Sequence, residues 1–500
     1  RMGTRPLIKD NDTLSHTADP GGGRRTTIFN RSDSSDMNTR DQLRAIVLAT
    51  IMITSIAVGG VTTIAGADTV GPAEPDAEYT PSNIESPGTL SETGTTANIL
   101  ESTSLDSADI NGTQIAEPVR DGDGKTELLL GVERNFELNR DGIVTVDKET
   151  LKADSEQTLG TVATEISELE AATVRNQYYV GNIVSITVDL DRVDVETIAD
   201  IPGVKYVAPN SRMVLPTPPE QQPSASTEQT GNFTYGLEQI GVPEFEEQFG
   251  VRGENATVSI IDDGLGATSF DDLHPDIDPD IVATAENGNV TTGEFGTDPG
   301  LHGLHTTGTA TGAADPAGDV PRYGVAPNAS LISINTFEGV AAAEDSVAAV
   351  EFSVEQDADV ASMSLGFPPQ SENSVLELLM EQQMREANAL GTVVIGSAGN
   401  EGSGAAGGPA TSPGAEFSGL SIGASDDSRE IAGFSSGALI DPFSVDYVDV
   451  GGGTEYPDYY PYEYIKPDVS APGVGVLSSG ALGTVTQNDP TYSESSGTSM

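Results

Sequence analysis

Three side chains that together could carry out nucleophilic catalysis stand next to glycine in separate parts of the chain. They are a carboxylate, an imidazole and a hydroxyl, at Asp262, His302 and Ser499. A serine hydroxyl becomes a nucleophile when a base takes its proton, and a third group holds that base in place. Each segment alone is typical of an ordinary turn. The three residue types taken together predict a catalytic site.

The elements around these residues are predicted to present them at the edge of a sheet. Residues 258–261 form an apolar run, so Asp262 ends a buried strand, where a carboxylate can orient a neighbouring group. The small residues after His302 let a helix pack closely, with the imidazole at its amino-terminal end. Gly497 permits a tight turn that exposes Ser499 at a helix start. Binding and catalytic sites in α/β proteins lie at such strand ends and helix starts.

The surrounding region has the pattern of an α/β domain. Apolar residues recur at helical spacing between residues 376 and 387, which predicts a helix that covers one face of a sheet. Apolar runs that predict strands alternate with helical patterns, at residues 258–261, 331–334, 360–363, 393–395 and 420–422. This alternation predicts a parallel sheet with helices packed against it.

The order Asp, His, Ser and the residues around it resemble the subtilase family of serine peptidases, which carries Asp-Thr/Ser-Gly, His-Gly-Thr-His and Gly-Thr-Ser-Met-Ala motifs. Further segments that match stand in the same order, at residues 324–327, 364–366, 398–402, 434–436 and 466–473. The resemblance covers residues 233–500. It implies a doubly wound, mainly parallel sheet with helices on both faces, in a domain that we place at residues 232–500.

The resemblance implies a role for each site residue in the hydrolysis of peptide bonds. Ser499 attacks the scissile carbonyl, His302 takes its proton, and Asp262 holds and stabilises the imidazolium. Asn400 donates a hydrogen bond to the oxyanion. The residues implied to line the substrate cleft and to pair with an extended peptide are Ser364, Leu365, Gly366, Ser397, Ala398 and Gly399.

The chain departs from the family pattern near the three reactive residues. Asp263 replaces the usual small hydroxyl residue, Leu304 replaces threonine, and residues 306–307 are threonines where the family has an apolar pair. A second carboxylate near the imidazole favours its protonated form, so we expect Asp263 to raise the pKa of His302. The family continues beyond the nucleophile with a helix, so we expect the domain to be truncated at Met500.

Residues 126–209 have the pattern of a small α+β domain, and the order of their elements suits a ferredoxin-like unit. The resemblance implies that this unit is an inhibitory propeptide. Its predicted elements are strands at residues 128–130, 184–190 and 204–207 and helices at residues 161–172 and 193–199. A proline-rich linker is predicted at residues 210–231, between this unit and the peptidase-like domain.

The first part of the chain is predicted to serve export. Residues 1–36 lack apolar periodicity and are excluded from the fold. Residues 37–67 have the layout of a signal peptide, with arginines before an apolar run that ends in Ala-Gly-Ala. An uncleaved membrane anchor is the alternative, because the run is just long enough to span a bilayer. Residues 68–125 are rich in proline, serine and acidic residues and are predicted to be a disordered linker.

The composition narrows the protein's function. With 78 acidic and 23 basic residues the formal net charge is −55, which excludes nucleic-acid binding. The acidic residues are spread along the chain, which predicts adaptation to multimolar salt. No cysteine is present, so thiol nucleophiles, disulfides and thiolate metal sites are excluded. Extracellular or cell-surface location is further indicated by glycosylation motifs at Asn232, Asn255, Asn289 and Asn328.

Two other functions remain open from the sequence. His302 and His305 could bind zinc from one face of a helix, although no glutamate-based zinc-peptidase motif accompanies them. An inactive pseudopeptidase that acts as a surface binding or structural module is the other alternative. The peptidase hypothesis requires no cofactor for its chemistry, and the resemblance allows structural calcium without indicating the ligands. Its expected partners are protein or peptide substrates and its own propeptide, with no nucleic acid and no membrane association of the mature domain.

Overall fold

A computed structural model describes most of the chain beyond residue 112. The described residues are 113–120, 122–136, 147–216, 231–297, 299–338, 341–367, 374–402, 412–440, 460–461, 463–480 and 491–500. The chain divides into two structural units, and all of these residues belong to the second, Ile64–Met500. The predicted upstream segment, signal peptide and most of the linker at 68–125 lie outside the described residues. None of the described helices has the length and apolar character needed to cross a membrane.

The described residues between 113 and 209 form a unit with a five-stranded sheet and three helices. Its strands are β1 (Gln114–Ile115), β2 (Lys125–Val132), β3 (Ala172–Tyr178), β4 (Ile183–Asp189) and β5 (Val204–Pro209). Its helices are α1 (Glu117–Arg120), α2 (Lys148–Glu168) and α3 (Val195–Ala199). The strand order is β1-β5-β2-β4-β3. From β2 onward the elements run strand, helix, strand, strand, helix, strand, so the predicted ferredoxin-like unit is confirmed.

Two features of this unit differ from the sequence prediction. The helix predicted at residues 161–172 is α2, which begins at Lys148 because Asp147 caps it by accepting a hydrogen bond from the Thr150 amide at 2.8 Å. Its buried positions include Ser155, a polar residue within the apolar stripe. The strand β1 lies inside the predicted linker 68–125 and pairs in parallel with β5. Two residues of strand give no periodicity that the sequence alone could reveal.

An eight-stranded sheet forms the centre of the following region. The strands are β6 (Thr257–Asp262), β7 (Ile281–Glu286), β8 (Asn289–Thr292), β9 (Ser330–Asn335), β10 (Val360–Met363), β11 (Val393–Ser397), β12 (Leu420–Ser425) and β15 (Val469–Pro472). Their order is β15-β12-β11-β10-β6-β9-β7-β8. Every neighbouring pair is parallel except β7 and β8. All five strands predicted from apolar runs are present, and the doubly wound, mainly parallel sheet is confirmed.

Helices and two short two-stranded sheets complete this region. The helices are α4 (Tyr235–Gln239), α5 (Val242–Phe249), α6 (His302–Thr311), α7 (Ala343–Glu355) and α8 (Ser374–Leu390). The antiparallel pairs are β13 (Ala438–Ile440) with β14 (Tyr464–Lys466), and β16 (Val476–Ser479) with β17 (Tyr492–Ser495). Residues on α7 and α8 belong to one buried apolar cluster that also contains the interior of the five-stranded sheet. The two sheets therefore share a continuous core.

Candidate active site

Asp262 ends β6, at the point where the winding of the large sheet reverses. β6 pairs with β9 on one side and with β10 on the other. Its side chains Ile260 and Ile261 are buried, because both faces of a central parallel strand are covered. Asp262 is itself only 1% exposed. A carboxylate at this reversal point stands where α/β proteins place their ligands.

His302 is the first residue of α6, and its imidazole meets the carboxylate of Asp262. The distance from His302 Nδ1 to Asp262 Oδ1 is 2.8 Å. The helix start can approach the end of β6 because residue 303 is glycine. A Cβ atom at Gly303 would lie 2.3 Å from the carbonyl oxygen of Gly264, which no side chain tolerates. The glycine after the histidine therefore allows the contact.

Two more donors reach the Asp262 carboxylate. The amide of Asp263 donates to Oδ1 at 2.8 Å, and the hydroxyl of Thr306 lies 3.1 Å from Oδ2. Asp263 in turn accepts a hydrogen bond from the amide of Gly303 at 2.6 Å through its Oδ1. The side chain of Asp263 therefore lies against the amino-terminal end of α6, where backbone amides and the helix dipole favour a negative charge.

The pKa values of His302 and Asp263 depend on burial and on the charges of the neighbouring carboxylates. Burial lowers the pKa of His302, but the charge and hydrogen bond of Asp262, with the charge of Asp263, outweigh it and raise the pKa above its usual value. Burial and the neighbouring charge of Asp262 raise the pKa of Asp263 to about 6. The surroundings of His302 thus stabilise its protonated form, which is a property that suits a group that accepts a proton.

Ser499 follows the antiparallel pair of β16 and β17, of which β16 packs against α6. The hydroxyls of Ser478 and Ser479 donate to the carbonyls of His305 and Leu304 at 2.8 and 3.0 Å. These bonds tie the segment that leads to Ser499 to the helix that begins with His302. The Oγ atom of Ser499 is buried and has no hydrogen-bond partner within the described chain. Ser499 and His302 are thus held by neighbouring elements, and no hydrogen bond joins their side chains.

Asn400 is joined to the turn that precedes Ser499. Its Oδ1 accepts hydrogen bonds from the amide and the hydroxyl of Thr498, at 2.9 and 3.2 Å. The Thr498 hydroxyl also accepts from the amide of Gly399 at 3.0 Å. Because the carbonyl end of the amide faces Thr498, the Nδ2 donor end is turned away from that residue. No local sequence pattern predicts that Thr498 connects these two segments.

Gly366, in the first predicted cleft segment, already pairs with an extended segment of the same chain. Its amide donates to the carbonyl of Val214 at 2.8 Å, and the amide of Val214 donates back at 2.7 Å. This reciprocal exchange is the pattern of an antiparallel ladder. Ser364 contacts the nucleophile segment, since its hydroxyl donates to the Ser499 carbonyl at 3.3 Å. Leu365 is buried.

The second predicted cleft segment differs from the first in its hydrogen bonding. The amide of Ala398 donates to the carbonyl of Ile422, and the amide of Gly399 donates to Thr498. The carbonyl of Gly399 accepts from the amide of Ser436. β12 and two loops therefore already use these three backbone groups, and the pairing of this segment with a substrate peptide stays a prediction. Ser397 ends β11, and its hydroxyl is buried.

The zinc alternative is not supported by the position of His305. Its Nε2 faces the carbonyl oxygens of Val476 and Ser493 at 3.0 and 3.3 Å, so this nitrogen carries the hydrogen. Burial lowers the pKa of His305 to about 4. Within the described residues, the one group of ligand atoms close enough to share a metal ion is Asp262, Asp263 and His302. This group is the acid–base pair itself, and it identifies no separate calcium site.

Comparisons with known proteins agree with this geometry. The model of the subtilase family matches residues 253–500. Subtilisin DY from Bacillus licheniformis is 31% identical over 269 residues, which cover 53% of this chain and 79% of that protein. Subtilisin amylosacchariticus from Bacillus subtilis subsp. amylosacchariticus is 27% identical over 329 residues, which cover 65% of this chain and 69% of that protein.

A solved structure gives the same result for the fold. The crystal structure of fervidolysin from Fervidobacterium pennivorans, described as a keratinolytic enzyme related to subtilisin, superposes with a TM-score of 0.51 at 21% sequence identity. The match covers 78% of this chain and 54% of that one. The sequence comparisons lead to one conclusion. This chain belongs to the subtilase family and is a hydrolase of the serine endopeptidase class.

Proposed function

We propose that the protein hydrolyses peptide bonds through Ser499, His302 and Asp262, with an acyl-enzyme intermediate. The observation that carries the proposal is the 2.8 Å contact between His302 Nδ1 and Asp262 Oδ1, made by a buried carboxylate at the sheet's reversal point. An acid–base pair of this geometry fixes the imidazole with Nδ1 protonated. Its Nε2 then serves as the base.

The same side chains act in both halves of the reaction, the formation of the acyl-enzyme and its hydrolysis. His302 takes the proton of the Ser499 hydroxyl as Oγ attacks the scissile carbonyl carbon, and Asp262 stabilises the imidazolium that forms. Asn400 donates to the oxygen that becomes negative. His302 then gives its proton to the leaving amine. A water molecule then gives a proton to His302 and attacks the carbonyl carbon of the acyl-enzyme. His302 returns the proton to Ser499 Oγ, and the second product is released. No cofactor is needed for these steps.

The five-stranded unit is proposed to inhibit the peptidase until it is removed. Residues 211–214, which follow β5, run along the peptidase region: the Met213 amide donates to the Ala341 carbonyl at 2.9 Å, and Val214 exchanges two hydrogen bonds with Gly366. An extended segment in this position occupies a strand that a peptide substrate could use. The proline-rich segment at 217–230 lies outside the described residues and is proposed to contain the cleavage site.

Contacts between the unit and the helices α7 and α8 support this role. Arg134 binds Glu386 through two hydrogen bonds, of 2.6 and 2.5 Å. The amides of Gly181 and Val180 donate to the carboxylates of Glu386 and Glu351 at 2.6 and 2.9 Å. The alignment with subtilisin amylosacchariticus covers 65% of the chain and therefore extends before residue 253, into the described unit.

We further propose that the protein is a secreted zymogen of a salt-adapted organism. The net charge of −55 would repel itself at low ionic strength and is screened over a few ångströms in multimolar salt. The predicted signal peptide at 37–67 supports export. Structural calcium stays an expectation from the family.

The test compares the full-length wild-type precursor with Ser499→Ala in multimolar salt. Wild type should lose its amino-terminal unit, cleave casein and react with a fluorophosphonate, whereas the variant should do none of these. Circular dichroism and thermal unfolding show whether both proteins are folded. A folded wild type that is as inert as Ser499→Ala would contradict the proposal and favour the pseudopeptidase.

A further inference from the structure

The two oxygens of the Asp262 carboxylate have very different surroundings. Oδ1 accepts hydrogen bonds from both His302 and the amide of Asp263, at 2.8 Å each. Oδ2 lies within hydrogen-bond distance of the hydroxyl of Thr306, at 3.1 Å, and within the described chain it has no other donor. The residue is 1% exposed, so bulk water does not supply the missing donors. A buried ionised oxygen without a partner is costly.

Thr306 is placed to serve this oxygen by the geometry of α6. It stands four residues after His302, on the same face of the helix. Its side chain is buried, and its hydroxyl lies 3.1 Å from both Asp262 Oδ2 and the carbonyl oxygen of Gly303. The hydroxyl carries a single hydrogen, so the two acceptors share it. The charged carboxylate is the stronger acceptor.

Asp263 cannot take over this role. When its carboxylate is ionised it has no hydrogen to donate, and its Oδ1 faces the Gly303 amide at 2.6 Å, at the start of α6. The two positions depart from the family pattern in opposite ways: residue 263 carries a carboxylate where a hydroxyl is usual, and residue 306 carries a hydroxyl where an apolar side chain is usual. The hydroxyl near the catalytic carboxylate therefore comes from the helix in this chain.

We propose that Thr306 is a positioning residue, whose hydroxyl holds the Asp262 carboxylate in the orientation that receives His302 Nδ1. The proposal rests on the proposed triad. With Oδ2 anchored, rotation of the carboxylate about its Cβ–Cγ bond is restrained, and Oδ1 stays directed at the imidazole. Without that anchor the carboxylate can turn, and the imidazole loses its fixed tautomer and direction. A small misplacement of such a group costs catalysis heavily.

The test replaces Thr306 with valine, which keeps the shape and removes the hydroxyl. Because hydrogen bonds to charged groups are strong, kcat should fall on the order of 10- to 100-fold, with KM changed less than about twofold. Thr306→Ser restores the hydroxyl and should recover kcat to within about threefold of wild type. Thr311→Val is the matched control, because Thr311 is a buried threonine of the same helix whose hydroxyl bonds to the Thr307 carbonyl.

The outcomes separate this proposal from the proposed function. Equal kcat values for Thr306→Val and Thr311→Val would overturn the positioning role, and so would a Thr306→Ser variant as slow as Thr306→Val. Thermal unfolding of all three variants shows whether a loss of kcat comes from misfolding. If Thr306→Val misfolds, the kcat of the Thr306→Ser variant still tests the proposal. An inactive wild type would instead contradict the triad itself.

Discussion

Two buried carboxylates, Asp262 and Glu386, are paired in contrasting ways. Each is 1% exposed. Asp262 is held by an imidazole, an amide and a hydroxyl, whereas Glu386 is held by the Arg134 guanidinium and the Gly181 amide. Among the described residues the first carboxylate has no permanent cation beside it, and the second has one bound through both oxygens. The type of partner distinguishes the carboxylate of the proposed triad from one that joins two parts of the protein.

The contrast has a physical basis in desolvation. A buried charge must recover the hydration that it loses, and either neutral donors or an opposite charge can do so. A fixed guanidinium next to Asp262 would neutralise the charge that stabilises the imidazolium. At Glu386 the same guanidinium contributes geometry and attraction, because Arg binds a carboxylate with two parallel hydrogen bonds. Substitutions in the Asp262 site should therefore lower the reaction rate, whereas substitutions in the Glu386 contact should lower the stability.

The largest expected effect is on the reaction and comes from Asp262→Asn. The amide keeps the shape but removes the charge and favours the wrong imidazole tautomer, so kcat should fall about 10⁴-fold. Hydrolysis of a chromogenic peptide measures this, after the variant precursor has been processed by a trace of wild-type enzyme.

Asp262→Asn should leave the junction at Glu386 intact. The control is the thermal unfolding of the precursor in a Ser499→Ala background, where Asp262→Asn should cause little change. A large loss of stability with little loss of kcat would reverse the roles assigned to the two carboxylates.

The next effect is on stability and comes from Arg134→Ala. It leaves Glu386 buried without its cation, and breaking a buried ion pair costs about 3–5 kcal/mol in the free energy of unfolding. Denaturant unfolding of the Ser499→Ala precursor measures the loss. Lys148→Ala is a matched control, because Lys148 pairs at 3.1 Å with the exposed Asp357 and should cost less than about 1 kcal/mol.

The Arg134 comparison has a third arm. Replacement of both Arg134 and Glu386 by methionine removes both charges of this pair, so Glu386 is not left buried without its cation. Asp154 loses its contact with Arg134 in both variants but keeps Asn135 as a donor, so the double variant should destabilise the precursor less than Arg134→Ala does. Equal losses for Arg134→Ala and Lys148→Ala would show that the Glu386 contact is no stronger than a surface ion pair.

The smallest expected effect is a displacement of the pH profile by Asp263→Asn. His302 must be neutral to act as a base, and the Asp263 charge contributes to its raised pKa. Removing that charge lowers the pKa of His302, so the acidic limb of kcat/KM should move to lower pH. The pKa of Asp263 is about 6, so the charge that is removed exists mainly above this pH.

Asparagine at residue 263 retains an oxygen that can accept from the Gly303 amide, so the start of α6 should keep its position. The measurement is kcat/KM between pH 5 and pH 9 for both proteins, with the pH range chosen to bracket the ordinary histidine pKa. An acidic limb that does not move would mean that the charge of residue 263 is not felt by the imidazole.

Local patterns predicted the large sheet well because parallel strands are continuous apolar runs. The strands that end at Asp262 and Met363 were found in this way. The sequence pattern places α2 too late because the helix's buried stripe includes Ser155, and it does not reveal β1 because two residues have no period. The partnership of Arg134 with Glu386 joins positions 252 residues apart. A contact of that range follows from the assembled fold and leaves no signal in either local sequence.

The pairing of Val214 with Gly366 also has a consequence for the proposed inhibition. Under that proposal the segment competes with substrate, while it is part of the same chain, at an effective concentration that can reach the millimolar range for a short connection. Once the connecting peptide bond is cut, it competes only at its actual concentration in solution. Dilution into the surroundings would then remove the competitor from the cleft without any further chemical signal.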